Sequence, residues 1–439
     1  MSSRQNFISY FLFFLFITSN SIYAQTSWQP LNTNTLSWRF EDMFWLDANI
    51  GWVVDGGGQI LKTEDGGATW DQQFYDSDYY FRSVEFLDEN VGFAGTLSSA
   101  ESNGSLWKTT DGGITWNNIT NLLPKSVLGI CGMAVADDQT IFITGVFYGF
   151  AYIMKSSDQG LTWTYQNMGA LCLGLVDIHF LTPLHGFAVG QTAQGTGLRA
   201  VIIETNDGGN SWQIAKTGDF NNQRAWKLQF INEMVGFASI EEFEPSPQYF
   251  KTIDGGQTWV LKDINTPNSS GTMQGIGFLN EDLGWVGGWS SLFYQTIDGG
   301  VTWEYMPSVG GSFNRFFRID EGLIYTSGSD VYRYADSTLV DIAEPVVHSG
   351  STGHEIAFRG SNIVYGEAII DLELVNHTFV ELSVYDLSGK RIKTLVSEKK
   401  MKGKHSFALN SKGLISGQYF LALYTYHGYE PLKFFVGIR

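Results

Sequence analysis

The sequence predicts an all-β protein: a seven-bladed β-propeller closed by an N-terminal strand, followed by a small C-terminal β-sandwich. Three observations support this. A nine-residue motif returns six times with its aspartates 44 to 49 residues apart, and a fixed period of that size is typical of repeat folds. Between its copies lie short apolar runs without helical periodicity. The C-terminal part of the chain, residues 351–439, lacks the motif and has more basic than acidic residues, unlike the repeats.

The motif, called the box below, first reads Lys62-Thr-Glu-Asp-Gly-Gly-Ala-Thr-Trp70. Its aspartate is expected to accept hydrogen bonds within its own turn, its glycines permit positive φ, and its tryptophan anchors the turn in the core. We therefore interpret every box as structural. The box aspartates are Asp65, Asp111, Asp158, Asp207, Asp254 and Asp298, and the box tryptophans are Trp70, Trp116, Trp163, Trp212, Trp259 and Trp303.

Each repeat predicts four short antiparallel strands, the composition of one propeller blade. A Phe-Leu-Asp-like turn about 20 residues upstream of the box joins the first two strands. The third strand precedes the box, and the fourth begins at the box tryptophan. A seventh repeat, from Phe313 to Tyr334, supplies only three strands, so we expect the segment Thr26–Leu31 to complete it and leave no open edge.

The two ends of the chain differ from the repeats. Residues 1–24 resemble a signal peptide, with Arg4, an apolar run from Phe7 to Ile17 and cleavage after Ala24. No membrane span is expected after cleavage. The predicted propeller covers residues 25–335, a linker covers 336–355, and a C-terminal domain covers 356–439. Residues 351–439 hold 11 Lys and Arg against 8 Asp and Glu, whereas the whole chain has a net charge of −18.

This acidic charge argues against nucleic acid and anionic membrane surfaces as partners. An exported protein meets an oxidising compartment, where Cys131 and Cys172 can form a disulfide. Alternatively, each is a small buried side chain. The sequence shows no metal-ligand spacing, so neither a metal nor a cofactor is predicted.

The box resembles the Asp-box, or BNR, repeat of bacterial sialidases. Together with the preceding Gly-Trp/Phe-x-x-Gly motif, it is more similar to the photosystem II assembly and stability factor family, over roughly residues 28–334. This resemblance implies a seven-bladed propeller and does not imply an activity. A sialidase is not expected, because its Phe/Tyr-Arg-Ile-Pro motif is missing and Arg39 is the only arginine between the predicted cleavage site and Asp65.

The tail resembles the C-terminal sorting domain of the type IX secretion system of Bacteroidetes. The residues that carry this resemblance are Val384–Leu395, Gly403–Phe407 and Leu414–Phe420. The usual Pro-Asn-Pro opening is absent. The resemblance implies export across both membranes to the cell surface or medium, with the type IX machinery as a partner.

A ligand site is expected at the mouth of the central channel, where the first strand of each repeat begins. The predicted ligand-binding residues are Arg82, Asp177, His179, Arg224, Trp226, Lys227 and Arg315; the same alignment also places Asp42, Ser83 and Gln274 there. The basic residues can hold a carboxylate, an acidic glycan or an acidic peptide. Alternatively, they balance nearby acids.

Aromatic residues near this mouth are candidate platforms for sugar stacking: Trp38, Tyr79, Tyr80 and Trp226. We therefore predict a secreted or cell-surface protein that binds a protein or glycan partner, and we do not assign catalytic residues. The alternative is a glycan-active hydrolase or lyase that uses channel-mouth carboxylates. Acidic pairs such as Glu41/Asp42, Asp88/Glu89 and Glu281/Asp282 keep it open.

Overall fold

The computed structural model describes residues 27–97, 104–193, 197–241, 247–264, 272–290, 292–335, 355–359, 362–375, 378–385, 391–414, 416–425 and 428–437. The predicted signal peptide lies outside these residues, as does the predicted linker except for Glu355. The chain divides into two compact units, Met1–Ser337 and Thr338–Arg439.

The described residues of the first unit form seven four-stranded antiparallel sheets, numbered I to VII. Sheets I to III contain β2 (Phe40–Trp45), β3 (Gly51–Asp55), β4 (Gln59–Thr63) and β5 (Asp71–Tyr75); β6 (Tyr80–Phe86), β7 (Gly92–Leu97), β8 (Leu106–Thr109) and β9 (Asn117–Asn118); and β10 (Gly132–Val135), β11 (Ile141–Gly145), β12 (Tyr152–Ser156) and β13 (Thr164–Asn167). A 3₁₀ turn, Thr120–Leu122, lies between β9 and β10.

The remaining sheets follow the same order along the chain. Sheets IV to VI contain β14 (Cys172–Phe180), β15 (Gly186–Thr192), β16 (Ala200–Thr205) and β17 (Gln213–Thr217); β18 (Arg224–Phe230), β19 (Gly236–Glu241), β20 (Gln248–Thr252) and β21 (Val260–Asp263); and β22 (Met273–Phe278), β23 (Gly284–Gly288), β24 (Phe293–Thr296) and β25 (Glu304–Tyr305). Sheet VII contains β26 (Arg315–Arg318), β27 (Leu323–Ser327), β28 (Val331–Ala335) and the N-terminal β1 (Gln29–Pro30).

The N-terminal strand completes sheet VII, as the sequence predicts. Gln29 pairs with Arg333 and Pro30 with Tyr332. Proline is tolerated here because β1 is an edge strand. The other outer strands begin one residue later than predicted: β5, for example, starts at Asp71, after the box tryptophan.

Neighbouring sheets pack through their first strands. Each first strand contacts the first strand of the next sheet along the chain, and β26 contacts β2. The box tryptophans pack against the preceding sheet: Trp163 meets Phe93 edge-to-face at 6.2 Å, and Trp259 meets Phe187 at 5.7 Å. Aromatic and aliphatic burial between sheets therefore holds the unit together.

The box is a closed hydrogen-bonded turn, as predicted. Asp65 Oδ1 accepts from the Thr69 amide at 2.8 Å, and its Oδ2 accepts from the Thr69 hydroxyl at 2.7 Å. The Thr63 hydroxyl accepts from the Gly67 amide at 2.8 Å. Gly66 and Gly67 have φ of 72° and 90°, a region that favours glycine. The other five boxes repeat this pattern.

Because neighbouring strands are antiparallel, the turns and strand starts of the first unit lie at two opposite edges of the sheets. The turns between first and second strands and the box turns lie at one edge, called the box edge. The first strands begin at the opposite edge, called the strand-start edge. A ligand at the predicted channel mouth would approach this second edge.

The second unit contains two sheets that share a hydrophobic core. One has three strands, β29 (Glu355–Phe358), β31 (Glu367–Leu374) and β34 (Gly403–Asn410); the other has five, β30 (Ile363–Val364), β36 (Gly428–Val436), β35 (Gly417–Thr425), β32 (Thr378–Tyr385) and β33 (Arg391–Lys400). Ile370 and Leu372 of the first sheet pack with Leu382 and Leu421 of the second. Apolar runs at residues 368–374, 380–385, 417–425 and 431–436 predict strands from the sequence, and they lie in β31, β32, β35 and β36; β29, β30, β33 and β34 were not predicted.

Both cysteines, Cys131 and Cys172, are free and buried. They therefore match the interpretation as small core side chains, not the disulfide. Among the described residues, no helix has the length and apolar character that a membrane crossing requires.

Candidate functional site

Charged side chains from several first strands meet in the centre of the first unit. We call this group the central network; it comprises Arg39, Glu41, Asp42, Arg82, Asp177, Lys227 and Arg315. All of them except Arg315 are at most 3% exposed. A buried charge is tolerated only when partners replace its water, so the contacts of these groups decide what the site can bind.

Glu41 gathers three partners. It accepts from Arg39 Nε and Nη2 at 3.1 Å each, from Arg82 Nη1 at 2.8 Å and from the Tyr80 hydroxyl at 2.6 Å. Burial alone raises the pKa of this carboxyl, but the charges of Arg39 and Arg82 and the hydrogen bonds outweigh burial and lower the pKa to about 2. Glu41 is therefore ionised and committed to internal contacts.

Arg315 joins carboxylates from two other sheets. Its Nε donates to Asp42 Oδ1 at 2.7 Å, while Nη1 and Nη2 form a bidentate pair with Asp177 at 2.9 and 2.8 Å. Burial opposes the charge of Arg315, but Asp177 and Asp42 raise its pKa above the usual arginine value. Because its donors already face two carboxylates, Arg315 is a cross-link between sheets VII, I and IV.

Lys227 is less well satisfied. Its Nζ lies 4.0 Å from Asp177 Oδ1, and the side chain is 1% exposed. No hydrogen-bond partner for this nitrogen is present among the described residues. Burial, followed by the nearby charge of Arg315, lowers the pKa of Lys227 to about 8.

A second group of contacts lies closer to solvent at the strand-start edge. Arg224 Nη1 donates to Glu241 at 2.7 Å, and the arginine side chain is 23% exposed. Gln274 bridges the two groups, because its Oε1 accepts from Arg39 and its Nε2 donates to Glu241. Trp226 donates to Asn314 Oδ1 at 2.7 Å. The polar groups of this region are thus linked to one another.

A cavity of about 200 Å³ lies farther along the first strands, towards the box edge. Glu85, His179 and Arg315 contribute to its lining. Burial, followed by repulsion from Asp42, raises the pKa of Glu85 to about 8, so this acid is mostly protonated at neutral pH. Burial also lowers the pKa of His179 to about 4, which keeps its imidazole neutral.

The predicted ligand-binding residues have different surroundings. Arg82, Asp177, Lys227 and Arg315 meet in the central network, but their charges face one another. His179 lines the cavity instead of the mouth, and its ring stacks on Phe230 at 5.5 Å.

Arg224 and Trp226 lie beside the network, where the Arg224 guanidinium is 5.8 Å from the Trp226 ring. Among the predicted ligand-binding residues near the strand-start edge, Arg224 has the most exposed side chain, at 23%.

Two aromatic residues proposed as sugar platforms occupy other positions. Trp226 is only 3% exposed, and Tyr79 packs edge-to-face on Trp107 at 5.1 Å. Exposed aromatic side chains do lie at the strand-start edge: Trp38 at 86%, Phe150 at 81%, Tyr148 at 49% and Tyr80 at 37%. The sequence analysis did not select Phe150 or Tyr148, which follow β11 in a turn without a repeat motif.

The central role of Glu41 was not predicted. The sequence suggested Glu41 only as one member of an acidic pair that could serve a hydrolase, whereas Glu41 and Asp42 both lie in β2 and are 2% and 1% exposed. Asp88 and Glu281 do lie in exposed turns. The signal available was Arg39, two residues before Glu41, since strand neighbours at that spacing share a face.

No group of three or more His, Cys, Asp or Glu side chains is arranged to hold a metal ion in the part of the chain that the structure describes.

Comparisons with known proteins agree on the architecture. A family model described as photosynthesis system II assembly factor YCF48 matches residues 19–164. The solved structure "YCF48 bound to D1 peptide" is 20% identical and covers 70% of this chain and 96% of that chain, with a TM-score of 0.53. The first unit is a β-propeller. The comparison with curated protein sequences gives no match.

Two further structures show the same likeness. YCF48 from Cyanidioschyzon merolae is 16% identical, with a TM-score of 0.53, and covers 70% of this chain and 98% of that chain. The GH74 xyloglucanase from Xanthomonas campestris is 11% identical, with a TM-score of 0.54, and covers 71% of this chain and 54% of that chain. At these identities the likeness concerns the fold, and function must be argued from the site.

Proposed function

We propose that this protein is a secreted or cell-surface β-propeller that binds a protein or glycan partner at the strand-start edge without catalysing a reaction. In this proposal the seven sheets are the blades of one closed ring, the second unit is a β-sandwich, and the type IX secretion machinery exports the chain through that unit. The similarity to YCF48, whose structure was solved bound to a D1 peptide, supports a polypeptide partner.

The observation that carries this proposal is that the charged groups at the centre of the first unit are paired and buried, whereas aromatic side chains at the strand-start edge are exposed. The central arginines pair with Glu41, Asp42 and Asp177, and Lys227 is only 1% exposed, so these cations do not form a free basic receptor. Trp38 and Phe150 are instead 86% and 81% exposed at the rim. Exposed aromatic side chains are common anchors for peptides and sugars, and Arg224 adds a partly exposed charge beside them.

A hydrolase is less well supported by the same geometry. In such a hydrolase, a carboxylate acts as the nucleophile or general base, so it must be able to reach the substrate. Arg315 engages Asp42 and Asp177, and Arg39 and Arg82 engage Glu41. The central cavity of about 200 Å³ is also smaller than the roughly 300–1,000 Å³ of ordinary ligand pockets.

Export rests on the tail. The described parts of the segments resembling the sorting domain overlap β32, β33, β34 and β35 of the second unit, which has its own hydrophobic core. We expect a reporter with residues 1–24 at its N-terminus and residues 338–439 at its C-terminus to be exported by a bacterium with a type IX system. Retention of the reporter in the periplasm, with the intact chain exported normally in parallel, would contradict this part of the proposal.

Partner binding is tested by screening the full chain on glycan and peptide arrays. The double variant Trp38→Ala/Phe150→Ala should lose the strongest signals and keep its melting temperature, because both side chains are exposed. The matched control, Ile114→Ala/Val301→Ala, removes side chains that are 74% and 79% exposed at the box edge and should leave binding unchanged. Equal signals from both variants would refute a strand-start site.

A substrate screen with chromogenic glycosides addresses the alternative. We expect no turnover above the level of a heat-inactivated sample. Turnover that Glu85→Gln abolishes, without loss of folding, would establish a catalytic cavity and replace the binding proposal.

A further inference from the structure

The box edge contains a repeated contact between neighbouring sheets. Lys108 of sheet II donates from Nζ to the carbonyl of Gln159, the residue after the box aspartate of sheet III, at 2.6 Å. Lys155 donates to the equivalent Gly208 carbonyl of sheet IV at 2.8 Å. Lys251 donates to Gly299 of sheet VI at 3.1 Å. In sheets II, III and V, the first residue of the box is thus a lysine that contacts the box of the next sheet.

The same lysines lie near aromatic rings of their own sheets. Lys108 lies 5.6 Å from the Phe93 ring centroid, and Lys251 lies 5.4 Å from that of Phe237. Each lysine is the cross-strand partner of that aromatic residue. This position therefore stabilises an ammonium group, because it offers a carbonyl acceptor and an aromatic ring.

Sheets I and IV depart from this pattern. In sheet I, Lys62 pairs with Glu64 at 2.7 Å instead. In sheet IV, Glu204 takes the lysine position and is paired across the strands with Phe187. One oxygen of Glu204 accepts from Gln213 Nε2 at 2.7 Å. The equivalent acceptor in the next box is the Gly255 carbonyl. Among the described residues, no side chain donates a hydrogen bond to that carbonyl, and Glu204 has no proton to donate when ionised.

A groove opens at this position. It has a volume of about 570 Å³, and Glu204, Glu233, Asp254, Gly255 and His185 contribute to its lining. Glu204 is partly exposed and Glu233 is exposed, so their carboxylates face solvent. The groove therefore combines the acceptor that receives a lysine in sibling repeats with a negative charge where the lysine would be.

We propose that this groove binds a lysine side chain of a partner polypeptide. The ammonium takes the place of the box lysine that sheet IV lacks, donates to the Gly255 carbonyl and pairs with the carboxylates of Glu204 and Glu233. The internal lysines of sheets II, III and V show that this carbonyl position accepts an ammonium. The site lies at the box edge and is independent of partner binding at the strand-start edge.

The test uses the full chain and an N-acetylated, C-amidated tetralysine peptide, with binding followed by fluorescence anisotropy at near-physiological salt. The neutral probe is the same peptide with every lysine acetylated on Nε. Glu204→Lys restores the lysine of the repeat and should fill the groove, so we expect at least ~10-fold weaker binding with the melting temperature maintained or raised.

Glu89→Lys is the matched control. It makes the same change in charge at an exposed residue in the turn between the first two strands of sheet II, the position that Glu233 occupies in sheet V, and it should alter binding less than ~2-fold. Equal weakening by both variants would show non-specific attraction to an acidic protein and overturn the proposal. Equal binding of the acetylated peptide, or unchanged binding by Glu204→Lys, would also overturn it. Trp38→Ala/Phe150→Ala should bind tetralysine normally, which separates this site from the strand-start edge.

Discussion

Replacing Arg315 distinguishes a structural cross-link from a ligand-binding residue. Arg315→Met retains much of the side-chain length but removes the charge that pairs with Asp42 and Asp177. Those carboxylates are 2% and 1% exposed, and their distances to the guanidinium nitrogens are 2.7 to 2.9 Å. Removing one partner of a buried ion pair costs about 3–5 kcal/mol, because the other charge stays buried without compensation.

We therefore expect Arg315→Met to lower the free energy of unfolding of the propeller by about 3–5 kcal/mol at pH 7. Urea denaturation followed by tryptophan fluorescence measures this loss. Adding Asp177→Asn should recover part of the stability, since without Arg315 the buried Asp177 carboxylate keeps only Lys227, at 4.0 Å, as a charged partner. Arg318→Met is a control on the same strand: it removes a 2.6 Å hydrogen bond to the Leu279 carbonyl and should cost only about 1–3 kcal/mol.

The result that would refute this reasoning is specific. If Arg315→Met changes the free energy of unfolding by less than ~1 kcal/mol and abolishes partner binding, then Arg315 is the ligand-binding group that the sequence predicts. A large loss of stability without rescue by Asp177→Asn would mean that packing of the Arg315 side chain, not its charge, holds the sheets together.

Three further predictions concern titratable groups. The folded pKa of Glu85, about 8 against an ordinary 4.5, makes wild type lose stability as pH rises across that window; Glu85→Gln should escape this loss and be roughly 1–4 kcal/mol more stable at pH 8 by urea denaturation. His179, with a folded pKa of about 4, makes wild type lose stability as pH falls from 6.5 towards 4, a loss that thermal melts of His179→Phe should lack. Asp158→Asn should lower the melting temperature at pH 7, and its difference from wild type should shrink as the pH falls from 3.8 towards 2, because hydrogen bonds from Thr162 lower the pKa of Asp158 from 3.8 to about 2.

The strands of the first unit were predictable because each repeat states the same pattern again. The strand pattern of a single repeat is weak evidence, but six boxes at one period fix where each third strand ends. The seventh repeat supplies only three strands, so its unpaired edge requires a strand from elsewhere in the chain. The second unit offers no repetition. Its β33 carries Arg391, Lys393 and Lys399, and charged strands of this kind do not stand out from a polar loop by composition.

The composition of the site was predictable, but its charge balance was not. Alignment of the repeats located Arg82, Lys227 and Arg315 correctly at the first strands. Whether such cations are free depends on contacts between residues far apart in sequence: Arg315 meets Asp42 and Asp177, which are 273 and 138 positions away. No local pattern encodes that pairing, so a basic cluster in the sequence becomes a neutralised cross-link in the fold.

Regular repetition also makes departures from it informative. In sheets II, III and V, the lysine at the first box position donates to a carbonyl of the next sheet. The carboxylate at that position in sheet IV forgoes this contact and leaves an acceptor beside a negative groove. Glu204 forms a hydrogen bond with Gln213, but that contact does not satisfy the Gly255 carbonyl. A gain in stability for Glu204→Lys would show that wild type forgoes an internal contact at this position, and loss of tetralysine binding in the same variant would show what the position gains in return.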